Sequence, residues 1–431
     1  MPRTPALKTL GFILAWVLGT VGSLSFLWEP GKTALDLDEL YWLGSSYYGQ
    51  LAFVRRDWST PHWDLQPARE NPPVAKYVLG LGLGLAGHPV TSIDPLSYFY
   101  AYWANKPGNW GSGPYIAKRA QTVAAATPGF HESFRESGRI PLTNGMIQAG
   151  RRTVLAYMVL ASLLALGLGT LVAGRLAGLF ASQLLLLHPV LVFVCNHAMA
   201  DAVALMFSLA AALAGFLWFR RFLQEERPDW RTGLTLTLAT GLLLALACGA
   251  KMNSLVLVGL MGLLVAASLT DSWRRDGRPD WRTGAWGLGI LVFGLAVFAA
   301  INPTILRDPW NGLAATVLEH RSIEFTQAEF IGGHLTTLRA KLATVVELAF
   351  LGWVPFCATV TVAAWGAMRR GRDAGFRFLL GWWLVAFVCV TAWIPFSWGR
   401  YVMPLLPPTF LLLGYAVNMA IQSLRGPVRN S

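Results

Sequence analysis

The residues best suited to chemistry are acids and cations that lie just outside apolar stretches of the chain. The first group is the segment 35–42, LDLDELYW, which holds three acids and follows an apolar run that ends near residue 27. Acids beside a membrane surface are costly unless they are solvated, paired or used. Asp38 and Glu39 are typical of a helix start over 40–54. The spacing alone favours this capping and solvation role over a functional one.

A second group follows about thirty residues later, in the segment 69–77, RENPPVAKY. The two prolines fix an extended approach and can open a helix, which holds Lys76 near its first turn. One interpretation is a rigid entry into an interfacial helix, with Lys76 reaching toward water. This explains the prolines better than it explains the acid Glu70 and the cation Lys76 together, so a binding role also stays open.

The elements that must position these residues are apolar helices. Of the 431 residues, 54% are hydrophobic and 13% charged, with a mean hydropathy of +0.46. Since an ordinary soluble domain carries about 25% charged residues, this composition excludes most soluble classes and predicts an all-α polytopic membrane protein. Ten apolar runs are long enough, or nearly so, to cross a hydrocarbon core of about 30 Å. They cover about 7–27, 152–173, 176–195, 199–219, 233–250, 252–270, 285–302, 344–366, 377–394 and 401–421.

The distribution of charge predicts how these helices are oriented. Both chain ends, Arg175 and the loops 220–232, 271–284 and 367–377 together hold 17 of the 35 basic residues and 7 of the 23 acidic residues. Their net charge of +10 is nearly the whole +12 of the chain, so the basic excess belongs to short loops and does not indicate nucleic-acid binding. The positive-inside rule places these stretches in the cytoplasm, and ten spans put every one of them there. An eleventh span at 73–90 would break this agreement, so 73–90 is predicted as an interfacial or re-entrant helix at the outer face.

The resulting topology is one integral membrane domain over 1–431, in the inner cell membrane with both termini cytoplasmic. Two long outer connections cover about 29–150 and 303–343, and long loops usually carry function or disorder. The topology places six charged residues at the outer membrane face, namely Asp38, Glu70, Arg151, Asp201, Lys251 and Arg400.

One local repeat is visible on the cytoplasmic side. The sequence RPDWRTG occurs at 227–233 and again at 278–284. Each copy enters a predicted helix, so we interpret the repeat as two similar helix starts with Asp or Thr as caps and Arg as inner anchors.

The acidic pair Asp38-Glu39, followed by the Pro-Pro-x-x-Lys-Tyr element, resembles the GT-C family of membrane glycosyltransferases. The chain looks most similar to the branch of protein O-mannosyltransferases and aminoarabinose transferases. Asp38-Glu39 matches the Asp-Glu of that family's first outer loop, and the segment 70–73 matches its His-Pro-Pro or Glu-Lys-Pro-Pro element. Asn71 replaces the family's His or Lys, and the loop 91–150 has no counterpart, which leaves the acceptor and the donor sugar open.

Looser matches extend the resemblance over most of the chain. Arg151-Arg152 stands at the start of the second span, and Asp201 in the segment 196–201 fits a second outer acid before a helix. Lys251 lies at a hairpin tip, and Arg400-Tyr401 precedes the last span.

The resemblance implies a GT-C-like bundle of about ten transmembrane helices with interfacial helices in its large first outer loop. It also implies sugar transfer from a polyprenyl-phosphate donor to a protein, lipid or polysaccharide acceptor at the outer face. Such a transfer needs a base for the acceptor hydroxyl and cations for the departing phosphate. Asp38 is implied as the base, Glu39 as the residue that orients it or binds acceptor, and Asp201 as a second acid. The implied substrate-binding residues are Lys76, Tyr77, Arg151, Arg152, Lys251, Arg400 and Tyr401.

Metal use is open at this point. Some relatives use a divalent ion, and Glu70 and His197 are the candidate ligands here. Their spacing resembles no ligand motif.

A lipid or sugar transporter is the main alternative function. A transporter would use ionisable groups at the middle of the membrane and broken helices. The predicted helices carry almost no internal charge apart from Lys251 and Glu347. The second alternative is a noncatalytic scaffold with degenerate motifs, against which the intact Asp38-Glu39 pair argues.

Overall fold

The computed structural model describes residues 5–28, 33–96, 142–224, 229–317, 334–371 and 373–424. These residues form helices and connecting turns, with no strand among them. The predicted outer connections 29–150 and 303–343 lie partly outside the described residues.

The long helices follow the predicted apolar runs. In chain order they are α1 (Pro5–Leu27), α2 (Leu37–Ser45), α3 (Val74–Leu85), α4 (Asn144–Ala173), α5 (Arg175–Leu187), α6 (Pro189–Cys195), α7 (Asp201–Gln224), α8 (Trp230–Ala250), α9 (Val256–Asp276), α10 (Trp281–Ile301), α11 (Leu338–Phe350), α12 (Trp353–Arg370), α13 (Ala374–Trp393) and α14 (Leu406–Leu424). Shorter helical turns cover Tyr47–Gly49, Gln50–Arg55, Pro61–Asp64, Gln66–Glu70, Met252–Leu255, Pro303–Arg307 and Gly399–Leu405.

Eight helical segments of the described chain are long and apolar enough to cross a membrane, and two bent pairs bring the number to ten. Each of the ten predicted spans corresponds to one of them, so the prediction of an all-α polytopic membrane protein is confirmed. Helix α3 has 12 residues, which gives it a length of about 18 Å. It is too short to cross a core of about 30 Å, and its position at the outer interface stays a prediction.

Two of the predicted spans are broken rather than continuous. Helices α5 and α6 meet at 65° and helices α11 and α12 at 88°. Pro189 opens α6 and cannot continue the hydrogen bonding of α5. The second bend uses left-handed backbone at Leu351 (φ 58°) and at Gly352 (φ 130°). Hydropathy alone does not detect such breaks because the residues on both sides are equally apolar.

Helix α7 lies near the centre of the bundle, since 67% of its apolar 18-residue stretch is buried. Helix α1 is peripheral, since only 6% of its corresponding stretch is buried. Close helix approaches use glycine, as between α8 and α10, where a Cβ on Gly241 would stand only 2.8 Å from the Ile290 carbonyl oxygen. At one end of the bundle the starts of α2 and α7, the end of α8 and the turn before α14 come together. This end holds the candidate site.

Candidate active site

The first part of the site is an ion pair between the start of α2 and the turn before α14. Arg400 Nη1 donates to Asp38 Oδ2, and the two side chains keep 18% and 31% of their surface exposed. The Arg400 guanidinium also lies 4.3 Å from the centre of the Trp398 ring. Both charges are therefore held in place while remaining accessible.

Asp38 can form this ion pair because its neighbours Asp36 and Glu39 make the hydrogen bonds that cap α2. Asp36 is the N-cap of α2, and its Oδ1 accepts from the Asp38 N–H at 2.8 Å. The Glu39 carboxylate completes a capping box by accepting from the Asp36 N–H at 3.1 Å. Burial and the neighbouring Asp38 carboxylate raise the pKa of Asp36.

A second ion pair joins α7 to the break after α8. Lys251 Nζ donates to Asp201 Oδ1, and both side chains are largely buried. Asp201 Oδ2 has no hydrogen-bond partner within the described part of the chain. A buried carboxylate oxygen without a donor is costly, so Asp201 retains capacity for one more hydrogen bond.

The two ion pairs form one electrostatic unit, which we call the acid–cation cluster: Asp38, Asp201, Lys251 and Arg400. Burial lowers the pKa of the Lys251 ammonium, the Arg400 charge lowers it further, and both Asp201 and Asp38 oppose this. The sequence placed all four at one membrane face, and the structure brings their side chains together. The cluster thus contains two acids and two cations, whose formal charges sum to zero.

A pocket opens beside the cluster along α7 and holds about 410 Å³ of space outside protein atoms, including open solvent at its mouth. Its polar wall contains Asp201, Lys251 and Asn253, and the Ser208 and Ser254 hydroxyls lie 3.1 Å apart within it. The remaining walls are mostly apolar, formed by Ala204, Leu205, Val256, Leu257, Trp382, Met403, Pro404 and Pro407. A ligand with a charged head and an apolar body fits such a lining.

Glu39 and Arg151 form a separate, fully buried pair. Arg151 Nε donates to Glu39 Oε1 at 2.8 Å, and Nη2 donates to Oε2 at 2.7 Å. Glu39 Oε1 also accepts from the Ala198 N–H at 2.7 Å, and the Arg151 guanidinium donates to the carbonyls of Thr33 and Ala34. Because these groups are engaged inside the protein, the geometry favours a positioning role over the predicted contacts with acceptor and phosphate.

Lys76 and Tyr77 also lie inside the protein. Lys76 is completely buried, and its ammonium donates to the Pro67 carbonyl and, at 2.5 Å, to the Asn71 carbonyl. The Tyr77 hydroxyl donates to the Ile301 carbonyl at 3.1 Å. These bonds attach the 66–85 region to itself and to the end of α10, and neither side chain lines the pocket.

The other predicted substrate-binding residues differ in exposure. Arg152 is exposed near the start of α4, with no ion pair to the rest of the described chain. Tyr401 is buried, and its ring stacks on Trp398 with centroids 6.1 Å apart. Tyr401 thus supports the Trp398 ring on which Arg400 lies.

The predicted metal ligands are not brought into a site. Glu70 acts electrostatically on Lys76, and the His197 ring nitrogen Nδ1 lies 2.8 Å from the Phe193 carbonyl oxygen. No three His, Cys, Asp or Glu side chains within the described ranges are grouped as metal ligands would be. Metal use stays a prediction, and no step of the proposed chemistry is routed through a metal.

Sequence reasoning missed four contributors to the site. Asp36 carried a usable signal, since Asp-x-x-Glu before an apolar run is typical of a capping box. Trp398 lies two residues before Arg400, which is a weaker indication. Ser208 and Ser254 carried none, because single serines in apolar helices usually bond to their own backbone.

Comparison with known proteins supports the resemblance seen in the sequence. Residues 151–306 match the family model described as dolichyl-phosphate-mannose-protein mannosyltransferase. No curated protein sequence matches the chain.

Solved structures share the fold. ArnT from Cupriavidus metallidurans in the apo state aligns with a TM-score of 0.54 at 15% identity, covering 97% of this chain and 64% of that one. The same protein bound to undecaprenyl phosphate gives 0.54 at 17% identity, covering 98% and 64%. The archaeal oligosaccharyltransferase AglB from Archaeoglobus fulgidus, in complex with an inhibitory peptide and a dolichol-phosphate, gives 0.51 at 13% identity, covering 97% and 51%. The chain thus spans less than two thirds of the length of these proteins, and the predicted GT-C fold is confirmed.

Proposed function

We propose that the chain transfers a sugar from a polyprenyl-phosphate-linked donor to an acceptor at the outer membrane face. The observation that carries this proposal is the acid–cation cluster, in which the partly exposed carboxylate of Asp38 pairs with Arg400, while Asp201 and Lys251 line a mostly apolar pocket. The family model names a dolichyl-phosphate-mannose-dependent transferase, and one ArnT structure holds undecaprenyl phosphate. Both are consistent with a lipid-phosphate donor.

Arg400 and Lys251 bind the donor phosphate in this proposal. A guanidinium presents several donors in a plane and suits phosphate oxygens, while an ammonium adds a compact charge. When a phosphate arrives, it competes with Asp38 for Arg400 and with Asp201 for Lys251. The exposed Arg152 is a further candidate, at the level of the membrane surface.

Release of Asp38 from Arg400 couples donor binding to catalysis. The freed carboxylate accepts the proton of an acceptor hydroxyl, whose oxygen forms a bond to the anomeric carbon of the sugar. The bond from that carbon to the phosphate oxygen breaks, and polyprenyl phosphate leaves with the electron pair. The charge that builds up on its phosphate is stabilised by Arg400 and Lys251.

The remaining residues support this chemistry from the protein side. Asp201 orients Lys251 and offers its second oxygen, Oδ2, to a substrate hydroxyl. Glu39 and Arg151 hold the start of α2, and Tyr401 supports Trp398 beneath Arg400. The charge distribution supports an orientation with both termini in the cytoplasm and the cluster outside.

The proposal is tested by mass spectrometry of glycans and lipid-linked sugars from cells that carry wild-type chain or the Asp38→Asn variant. We expect the variant to lose the product glycan and to accumulate the lipid-linked sugar. Asp64→Asn is the matched control, since Asp64 is an exposed carboxylate paired with Arg307. An unchanged Asp38→Asn profile at equal protein level would contradict the proposed mechanism.

A further inference from the structure

The RPDWRTG repeat, which the proposed function does not use, is placed at the other membrane face. Helix α8 runs from Trp230 to Ala250, directly before Lys251 of the cluster, and α10 runs from Trp281 to Ile301. Each has 21 residues, so their starts lie about 30 Å from the end that holds the cluster. The described part of the first copy begins at Asp229.

The two copies lie side by side. A Cβ on Gly233 of α8 would stand 3.3 Å from the Trp286 ring of α10, and one on Gly241 would stand 3.2 Å from the Gly294 N. Both pairs are separated by the same number of residues, so the helices run parallel in a fixed register. The two motif copies are separated in the sequence by two residues fewer than these facing pairs. The copies therefore lie at nearly the same height along the two parallel helices.

The acids of the motif are used inside each copy. Asp229 Oδ1 accepts from the N–H groups of Arg231 and Thr232, and Oδ2 accepts from the Thr232 hydroxyl at 2.7 Å. Asp280 repeats this, accepting from the Arg282 N–H at 3.1 Å and from the Thr283 hydroxyl at 3.0 Å. The carboxylates therefore cap their helices, and neither forms an ion pair with the described guanidinium groups of Arg231, Arg278 and Arg282.

The nearby acids within the described ranges, Asp271 and Asp276, are engaged elsewhere as well. Asp271 pairs with Arg377 at 2.5 Å, and Asp276 lies 3.7 Å from Arg275. Arg231 and Arg282 are exposed, and neither has an ion-pair partner among the residues that the structure describes. Among the residues that the structure describes, Arg231 and Arg282 thus add positive charge that no ion pair neutralises.

Three tryptophan side chains near these arginines are unusually exposed. Trp230, Trp273 and Trp281 are 62%, 64% and 73% exposed, although a large aromatic side chain is normally buried in a soluble environment. At a membrane boundary, an indole lies among lipid headgroups with its apolar body toward the acyl chains. The patch thus offers indole rings and guanidinium groups together at headgroup level.

We propose that these two Trp–Arg elements, Trp230-Arg231 and Trp281-Arg282, form a binding site for the phosphate headgroups of anionic phospholipids at the membrane face opposite the acid–cation cluster. Each guanidinium donates to a headgroup phosphate while the adjacent indole packs on the glycerol and upper acyl region. Two copies at the same height suit a lipid with two phosphates, such as cardiolipin. The site is independent of sugar transfer.

The test is native mass spectrometry of the purified full chain in detergent, titrated with cardiolipin and separately with phosphatidylcholine. We expect wild type to bind cardiolipin preferentially, and Arg231→Gln/Arg282→Gln to bind it about 25-fold more weakly, from about fivefold for each basic side chain near an anionic surface. The matched control Arg369→Gln/Arg370→Gln removes two exposed arginines at the end of α12, outside the two Trp–Arg elements, and it should lose clearly less cardiolipin affinity than Arg231→Gln/Arg282→Gln.

A second pair of variants separates specific binding from a folding defect. Arg231→Lys/Arg282→Lys keeps the charge and should retain most of the affinity, whereas Trp230→Ala/Trp281→Ala keeps all arginines and should still lose binding. The proposal would be overturned if Arg231→Gln/Arg282→Gln and Arg369→Gln/Arg370→Gln lost cardiolipin affinity equally. It would also be overturned if wild type bound phosphatidylcholine and cardiolipin equally well. Full cardiolipin affinity in Trp230→Ala/Trp281→Ala would overturn the role of the indoles.

Discussion

At the scale of single residues, three neighbouring acids at the start of α2 make different contacts. Asp36 caps the helix, Glu39 is buried against Arg151, and only Asp38 remains partly exposed with a cation from another element. The capping role that the sequence suggests for Asp38 and Glu39 is filled by Asp36 and Glu39, and the catalytic interpretation of Asp38 stays a prediction. The same division explains why Asp38 rather than Glu39 is the candidate base.

Arg400 gives the first prediction at this scale. Arg400→Gln should weaken the binding of undecaprenyl monophosphate by about tenfold or more, because a hydrogen bond to a charged group contributes about 1.5–3 kcal/mol. Arg307→Gln is the control, since Arg307 forms an exposed pair with Asp64. Affinity is measured by native mass spectrometry of the purified protein, and equal affinity in the two variants would argue against Arg400 as a phosphate ligand.

Lys76 gives a prediction about pH. Burial lowers the pKa of its ammonium in the folded protein from 10.5 to about 7. Between these two values the unfolded chain binds more protons than the folded one, so the contribution of Lys76 to the free energy of unfolding rises with pH across this interval. Below pH 7 both states are protonated and the contribution no longer changes.

The check is thermal unfolding of wild type and Lys76→Met at pH 7 and pH 9.5 in the same detergent. The variant loses the bonds to the Pro67 and Asn71 carbonyls at both pH values, which gives an offset independent of pH. The melting temperature of wild type relative to the variant should be higher at pH 9.5 than at pH 7. A constant difference would show that the buried ammonium does not titrate in this range.

At the scale of elements, the Glu39–Arg151 pair attaches the start of α2 to α4 and to the turn that precedes α7. Through it the first outer segment is held where Asp38 meets Arg400. The pair is a positioning device for the acid–cation cluster, and its effect on activity should follow its effect on structure.

Glu39→Gln should therefore lower the free energy of unfolding by about 3–5 kcal/mol, because it leaves the Arg151 charge buried without its partner. Asp64→Asn breaks an exposed pair with Arg307 and should cost about 0–1 kcal/mol. Denaturant or thermal unfolding in detergent compares the two variants. If Glu39→Gln lowers the free energy of unfolding no more than Asp64→Asn does, the Glu39–Arg151 pair does not stabilise this junction.

The elements show what the sequence predicts and what it does not. Helical spans follow from local hydropathy, and all ten were found at the predicted places, whereas the bend at Leu351-Gly352 depends on backbone conformation that hydropathy does not report. The four cluster residues were placed at one face by topology. Lys76 and Arg151, predicted to bind substrate, donate to backbone carbonyls and to a buried acid, and these partners could not be predicted because local sequence does not mark them.

At the scale of the whole molecule, charge determines the expected orientation. The stretches with a net charge of +10 include the starts of α8 and α10, while the acid–cation cluster lies at the opposite ends of the helices. The two proposals thus assign anionic-lipid binding to one face of the molecule and chemistry with a lipid-linked phosphate to the other. The predicted cytoplasmic position of both termini follows from the same argument.

This orientation is tested by single cysteines in a chain whose four native cysteines are replaced by Ala. Ser59→Cys in the exposed outer turn should react with a membrane-impermeant maleimide in intact cells, whereas Arg274→Cys at the end of α9 should react only after the membrane is opened. The reverse pattern would place the cluster on the cytoplasmic side.

The central claim is that the cluster breaks the bond between a sugar and a polyprenyl phosphate, and one measurement addresses it directly. Purified wild type and Asp38→Asn are reconstituted in vesicles with lipid-linked sugars and acceptors extracted from the host membranes, and released polyprenyl phosphate is quantified by mass spectrometry. Wild type should release polyprenyl phosphate, and Asp38→Asn should do so at least about 100-fold more slowly, as expected when a general base is lost. Equal release by Asp38→Asn, or movement of intact lipid-linked sugar across the vesicle membrane without release, would contradict the account.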